Sequence, residues 1–212
     1  MKLITATIVA MMFYCAGAQI RSDTLYTGNI FLRFNALNLA DVSEPNISFG
    51  AERRVAELFS VALDAGYIFY SQTFNRTGRS RGFIIRPAVR YFPGNGLFYL
   101  ETELHYKQTT HHLHDWVGRD VVENVPSYEQ FTLFRLRKRV IGTHFKVGRM
   151  VPVSNKLWFE FYLGGGVHFR KYFVVGDPDF TFQFTQNMST ITTGETDILI
   201  AVPGGFRLLY RI

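Results

Sequence analysis

Leu97-Phe98-Tyr99-Leu100-Glu101-Thr102-Glu103-Leu104-His105-Tyr106-Lys107-Gln108 reads as two interleaved strings of residues. Phe98, Leu100, Thr102, Leu104 and Tyr106 face one way; Tyr99, Glu101, Glu103, His105 and Lys107 face the other. A period of two arises only along an extended chain, so this stretch predicts a strand with one apolar and one charged face.

The same alternation returns between turn residues. In 28–40, Ile30, Leu32, Phe34 and Ala36 oppose Arg33 and Asn35; in 46–55, Ile47, Phe49 and Ala51 oppose Ser48, Gly50, Glu52 and Arg54. Residues 59–70 set Val61, Leu63, Ala65, Tyr67 and Phe69 against Ser60, Asp64 and Gly66. Residues 81–92 set Phe83, Ile85, Val89 and Tyr91 against Arg86, Ala88 and Arg90. Further on, Ile141, Thr143, Phe145 and Val147 oppose Gly142, His144, Lys146 and Gly148. In 157–173, Phe159, Phe161, Leu163, Val167 and Phe169 oppose Trp158, Glu160, Tyr162, His168 and Arg170. The last stretch, 197–212, sets Ile198, Ile200, Val202, Phe206, Leu208 and Tyr210 against Ala201, Gly205, Arg207 and Arg211. About eight strands result, each able to supply the ~9–11 tilted residues that cross a bilayer.

Composition agrees with an all-β chain. The 212 residues are 47% hydrophobic, 16% aromatic and 19% charged, which excludes disorder, and 21 Phe with 11 Tyr favour strands. Beyond residue 20 no apolar run approaches the ~20 residues a membrane helix needs, so a helical membrane protein is excluded. The first segment is different. Lys2 precedes an uncharged run from Leu3 to Tyr14, and Ala16-Gly17-Ala18 follow with the small residues a signal peptidase reads. Residues 1–18 are expected to be an export signal and 19–212 the mature domain. Cys15 raises lipidation as a rival, but Tyr14 stands where a small residue should precede a lipidated cysteine. Cleavage after Ala18 leaves no cysteine, so disulfides do not staple the exported chain.

Alternation alone also fits a soluble barrel, which hides Phe and Leu inside and shows charges outside. Here the polar face mixes Gly50, Gly66, Gly142, Gly164, Gly166 and Gly205 with long charged residues, as a narrow, filled interior requires. The apolar face is bulky, with aromatics towards its ends (Tyr67, Phe69, Tyr91, Tyr106, Tyr210), as in interfacial girdles. Connections predicted at 56–58, 93–96 and 152–156 are short; those at 71–80, 109–129 and 174–196 are long, and only 41–45 is a brief one on that side. Long outside and short inside is the asymmetry of bacterial outer-membrane barrels. Phe206, Leu208, Tyr210 and Ile212 carry the apolar alternation to the last residue. They resemble the terminal-strand signal that barrel-assembly machinery reads, although that signal usually ends in Phe.

Export signal, amphipathic strands and terminal strand together resemble the small outer-membrane β-barrel proteins of Gram-negative bacteria. More narrowly, Pro45-Asn46-Ile47-Ser48-Phe49-Gly50-Ala51-Glu52 and Ile85-Arg86-Pro87-Ala88-Val89-Arg90-Tyr91-Phe92 are similar to the second and fourth strands of a family of uncharacterised barrels. The resemblance covers nearly all of residues 19–212. It implies an eight-stranded antiparallel up-and-down transmembrane barrel in the outer membrane and brings no known activity.

An eight-stranded barrel has room inside only for side chains, and buried charges there must be paired. Closing the hairpin at 93–96 on Phe92 and Leu97 puts Arg86 opposite Glu103 and Ala88 opposite Glu101, with Arg90 diagonal to Glu101. The turn at 152–156 similarly brings Gly148 opposite Glu160, with Lys146 on the diagonal. The expected network that fills the interior is Arg33, Glu52, Asp64, Arg86, Arg90, Glu101, Glu103, Lys146, Glu160 and Arg207.

Other candidates are weaker. His111-His112-Leu113-His114-Asp115 invites a metal, but three histidines in a loop without a partnering cysteine are commonly solvated, so neither a metal nor a cofactor is expected. No Ser, Asp and His converge at a lipid-facing position, although Ser127 lies near the loop histidines in sequence. Arg135, Arg137, Lys138 and Arg139 form a basic run that suits lipopolysaccharide phosphates at the outer rim better than nucleic acid. Phe180, Phe182 and Phe184 alternate with Thr181, Gln183 and Thr185, which opens a ten-stranded alternative drawing on this segment and part of 109–129. The expected function is non-enzymatic: a filled barrel with a structural or surface-interaction role through its outer loops, meeting lipids, lipopolysaccharide, the assembly machinery and an unidentified protein partner. A rim-located lipid-modifying enzyme and a small-solute channel are the rivals.

Overall fold

The structure is a computed structural model that describes residues 28–35, 44–71, 80–94, 97–123, 125–176, 183–186 and 189–212. The predicted export signal at 1–18, with Cys15, lies outside the described residues, as do Phe180, Thr181 and Phe182. Eleven strands follow in order: β1 Ile30–Phe34, β2 Asn46–Ala56, β3 Phe59–Ile68, β4 Ser80–Tyr91, β5 Phe98–Val122, β6 Val125–Pro152, β7 Leu157–Val174, β8 Gln183–Gln186, β9 Ser189–Thr192, β10 Thr196–Ala201 and β11 Gly204–Arg211.

Each neighbouring pair from β1 to β7 is antiparallel, β6 pairs with β7, and β11 lies between β7 and β1. The hydrogen bonding therefore returns on itself. β10 and β11 both lie along β7 in one register and occupy a single position, so the ring has eight positions. They are separate because Pro203 has no N–H to give the ladder. β8 and β9 form their own two-stranded sheet, and 109–121 and 125–129 belong to β5 and β6. Among the described residues neither segment adds a position to the ring, which counts eight positions and not the ten of the alternative.

The period of two places the side chains as read. Phe49 (61% exposed), Phe145 (65%) and Ile200 (88%) face outwards, while Arg33, Glu52, Asp64, Glu101, Glu160 and Arg207 are buried inside. Two expectations of register fail. Arg90 lies opposite Glu101 and Ala88 opposite Glu103; Glu160 lies opposite Met150 and Gly148 opposite Tyr162. Both hairpins are offset by two residues from the expected pairing. In the first, the turn is longer than the Pro-Gly-Asn-Gly tetrad, because Phe92 and Tyr99 pack ring against ring at 5.9 Å inside the molecule. A two-residue slip leaves every side chain on its own face, so polarity survives the error. The pairing of β4 with β5 is interrupted at Arg86 and Pro87, again where a proline lacks its donor.

The expected outer loop at 109–129 is not a loop. β5 and β6 continue as a paired hairpin to Val122 and Val125, well beyond Ser80 of β4 and Val174 of β7, which end opposite His111 and Leu136. Alternating residues such as Leu113, Val117 and Phe134 extend the inward apolar series, and Thr, Val, Tyr and Phe give the segment strand propensity.

Candidate functional site

The interior is stacked in levels along the strands. At the end bearing the short connections, Phe31, Phe92, Tyr99, Met150, Trp158 and Leu209 form a buried apolar cluster, with Phe31 edge-on to Trp158 at 6.3 Å. The sequence reading expected a polar interior throughout. This end is apolar because the inward positions of β1, β6 and β11 switch there from charged to large hydrophobic residues, at Phe31, Met150 and Leu209.

Above it lies the charged level. Arg90 Nη1 donates to Glu52 (2.7 Å) and to Glu160 (2.8 Å), and Arg90 Nε donates to Glu101. Arg207 Nη1 donates to Glu160 (2.6 Å) and lies 3.3 Å from Glu101. Arg33 lies 3.3 Å from Asp64 and 3.5 Å from Glu101, and Lys146 Nζ is 3.1 Å from Glu101 and 2.6 Å from Glu103. Nine of the ten expected residues are thus joined by ion pairs within 4.0 Å. Arg86 is the exception. It faces Asp64 across β3 and β4, yet its Nε and Nη2 are buried without a hydrogen-bond partner among the described residues. With Arg86 the ten side chains carry five formal charges of each sign, so it neutralises the level as a whole, without a close ion pair. An isolated buried charge would cost several kcal/mol, whereas a balanced, hydrogen-bonded cluster offsets that penalty.

Inward residues outside the expected ten complete this level. Tyr99 donates its hydroxyl to Glu160 at 2.7 Å, and Ser60 donates to Glu52 at 2.6 Å. Asn35 accepts from Arg207 Nε at 2.7 Å. The guanidinium groups of Arg90 and Arg207 each lie 4.2 Å from an aromatic centroid, those of Tyr99 and Tyr162. All four are on the inward parity, which was the available signal.

The next level holds histidines. His105, His144 and His168 come from β5, β6 and β7, and His144 Nδ1 is 2.9 Å from Glu103. Inward parity was legible for each, but not that they share a height. Higher still, Glu44 accepts from Lys107 and from Lys138 (3.0 Å). Burial by itself pushes the Glu44 pKa up, but the two ammonium groups outweigh it and bring it down to about 2. Ser80 and His111 then meet through Oγ and Nδ1 at 2.8 Å. Burial and the Lys138 charge pull His111 down to about 4, so its ring is neutral at pH 7.

The His111–Asp115 stretch does not converge on one point. His111 turns inwards, whereas His112 and His114 are exposed on the other face, His114 against Phe131 at 4.3 Å. The basic run also divides: Lys138 points in to Glu44, while Arg135 and Arg139 are exposed outside and Arg137 and Arg139 cover the ring of Phe173. Phe206, Leu208, Tyr210 and Ile212 are all on the outward parity, the first two half-buried and the last two exposed. Ser127 donates to the Asp120 carbonyl at 2.9 Å near the hairpin tip. No family model, no curated protein and no solved structure matches the chain.

Proposed function

We propose that this chain is a transmembrane β-barrel of the Gram-negative outer membrane, with a filled polar interior and a non-enzymatic structural or surface-interaction role. The observation that carries this reading is the inverted polarity of the ring: large apolar side chains stand exposed on the outside of all eight positions while ionised ones are buried. A water-soluble chain rarely exposes a contiguous apolar surface beyond a few hundred Å², on the order of a single patch. Hydrocarbon removes that objection.

The height of the apolar surface supports the same reading. Phe59 and Tyr67 on β3, Tyr91 and Phe83 on β4, and Phe98 and Tyr106 on β5 each bracket the apolar stretch of their strand. Each pair spans about 27 Å of chain at ~3.4 Å per residue, or about 21 Å in height at a ~40° tilt, close to the ~25 Å band of known barrels. Outside this band, towards the long connections, Arg81, Arg135, Arg139 and Lys171 are exposed. Cations at that level suit lipopolysaccharide phosphates. The β5–β6 hairpin, with Trp116, Val122, Val125 and Phe131 exposed, is the surface for a protein partner.

The Ser80–His111 pair is the observation that favours a hydrolase instead. Both residues are buried in the interior, facing away from the lipid whose ester bonds such an enzyme would cleave. In the expected outcome, the full chain expressed with its leader in a Gram-negative host co-sediments with outer membranes. It then migrates on gels in a heat-modifiable form, releases no acyl chains from phospholipid, and gives no sustained porin-sized conductance in planar bilayers. Recovery as a stable, detergent-free soluble protein would overturn the membrane reading; acyl release lost in Ser80→Ala would favour the enzyme, and sustained conductance the channel.

A further inference from the structure

His105, His144 and His168 bring ligand nitrogens within 4.8 Å of one another in the interior. The Nε2 atoms of His144 and His168 are 2.7 Å apart. We propose that these three imidazoles form a binding site for a divalent first-row transition metal ion, with zinc the best match. The inference is independent of the membrane reading, because the ring encloses the same three side chains in any solvent.

Space for the rings is made by glycine. His105 and His168 both lie opposite Gly142, and His144 lies opposite Gly166. A Cβ at Gly142 would collide with the His168 ring, and one at Gly166 would meet the His144 ring. The ring centroids are 4.7–5.1 Å apart as a result. Side chains on three successive strands thus converge without intervening bulk.

The hydrogen bonding of the cluster is that of a ligand set. His105 is buried, and neither of its ring nitrogens has a hydrogen-bond partner among the described residues. A buried polar group in that state carries a desolvation cost that coordination would remove. His144 donates Nδ1–H to Glu103, which leaves Nε2 with its lone pair turned towards His168. A carboxylate behind a ligating imidazole is the usual outer-shell partner, since it fixes the tautomer and raises the basicity of the other nitrogen. Glu103 is itself held by Lys146.

Three imidazole nitrogens suit zinc, copper or nickel, and zinc with three histidines takes a water as its fourth ligand. Half-buried His168 leaves the cluster open on one side. Zn–N bonds of about 2.0–2.1 Å place tetrahedral nitrogens about 3.3 Å apart, so the 2.7 Å contact must widen and the longest spacing close by modest ring rotations.

Titration of the full chain, folded in detergent micelles, with Co²⁺ alone tests the site. One equivalent is expected to develop the visible absorption of four- or five-coordinate cobalt, and Zn²⁺ to abolish it. Cu²⁺ in the same protein should show electron paramagnetic resonance coupling to three imidazole nitrogens. Glu103→Gln should weaken binding roughly 10–100-fold and His168→Gln by more than that, with His112→Gln/His114→Gln unchanged. Circular dichroism with thermal unfolding identifies any variant that does not fold, in which case the copper spectrum of the unaltered chain decides. No cobalt band, fewer than three coupled nitrogens, or binding that depends on His112 and His114 would overturn the proposal.

Discussion

Glu101 touches four cations: Arg33, Arg90, Lys146 and Arg207. Its loss would leave those groups facing one another with Glu52, Glu160, Asp64 and Glu103 as the remaining anions. Glu101→Ala is therefore expected to destabilise the fold by about 3–5 kcal/mol, read as a lower urea midpoint for unfolding; a change below about 1 kcal/mol would show that the cluster adapts. Glu44, above the proposed membrane-spanning length, gives a pH-dependent case. Its folded pKa of about 2 lies below its ordinary 4.5, so its stabilisation is complete above about pH 4.5 and is lost as the pH falls towards 2. Glu44→Gln should cost roughly 2 kcal/mol at pH 7 and progressively less as the pH falls to 2, checked by denaturation of both proteins across that range. An unchanging gap would mean that the Lys107 and Lys138 contacts do not depend on the charge of Glu44.

β5 and β6 illustrate what one element can do in two environments. Up to His111 and Leu136 each strand is flanked on both sides and belongs to the ring. Beyond that point the two strands pair with each other, and their inward residues Leu113, Val117 and Phe134 gather with Leu136 and Tyr172 into a separate apolar cluster. Two-stranded ribbons are marginal alone, so this cluster is what holds the protruding hairpin upright. Replacing residues 114–133 with a short turn should leave the ring and its heat-modifiable mobility intact, because its ladder lies below the cut. Loss of the folded band would show that the hairpin nucleates the ring. The positive backbone angles of Asp120 and Glu123 confine the sharpest curvature to the hairpin tip.

Across the whole molecule the decisive quantity is the medium around the exposed apolar side chains. Phe145 lies opposite Thr102, midway between the Phe98 and Tyr106 levels, and is 65% exposed. In hydrocarbon, Phe145→Arg at the bilayer midplane should cost about 2–4 kcal/mol. On a hydrated surface the same change would be worth within about ±0.5 kcal/mol. Measuring refolding into lipid vesicles for parent and variant separates the two, and a neutral substitution would count against lipid contact there. The apolar cluster at the short-connection end and the ion pairs above it occupy the interior with buried side chains, which supports the proposed structural role over transport.

Along each strand the sequence by itself determined which face every side chain would take, because extended chain alternates with a period of two whatever it pairs with. Arg33, Glu160 and Arg207 were legible as interior groups, and Phe49 and Phe145 as exterior ones, on that ground alone. The tertiary structure decided heights. Register is set by turn length and by packing such as Phe92 on Tyr99, and a slip of two residues changes every cross-strand partner without turning any side chain over. That is why Arg90 rather than Ala88 faces Glu101, why Arg86 has no close ion pair among the described residues, and why the meeting of His105, His144 and His168 could not be read from three separate strands. The hairpin at 109–129 escaped for a related reason: the same alternation continues above the ring, and only the absence of neighbours beyond Ser80 and Val174 among the described residues marks where the ring stops.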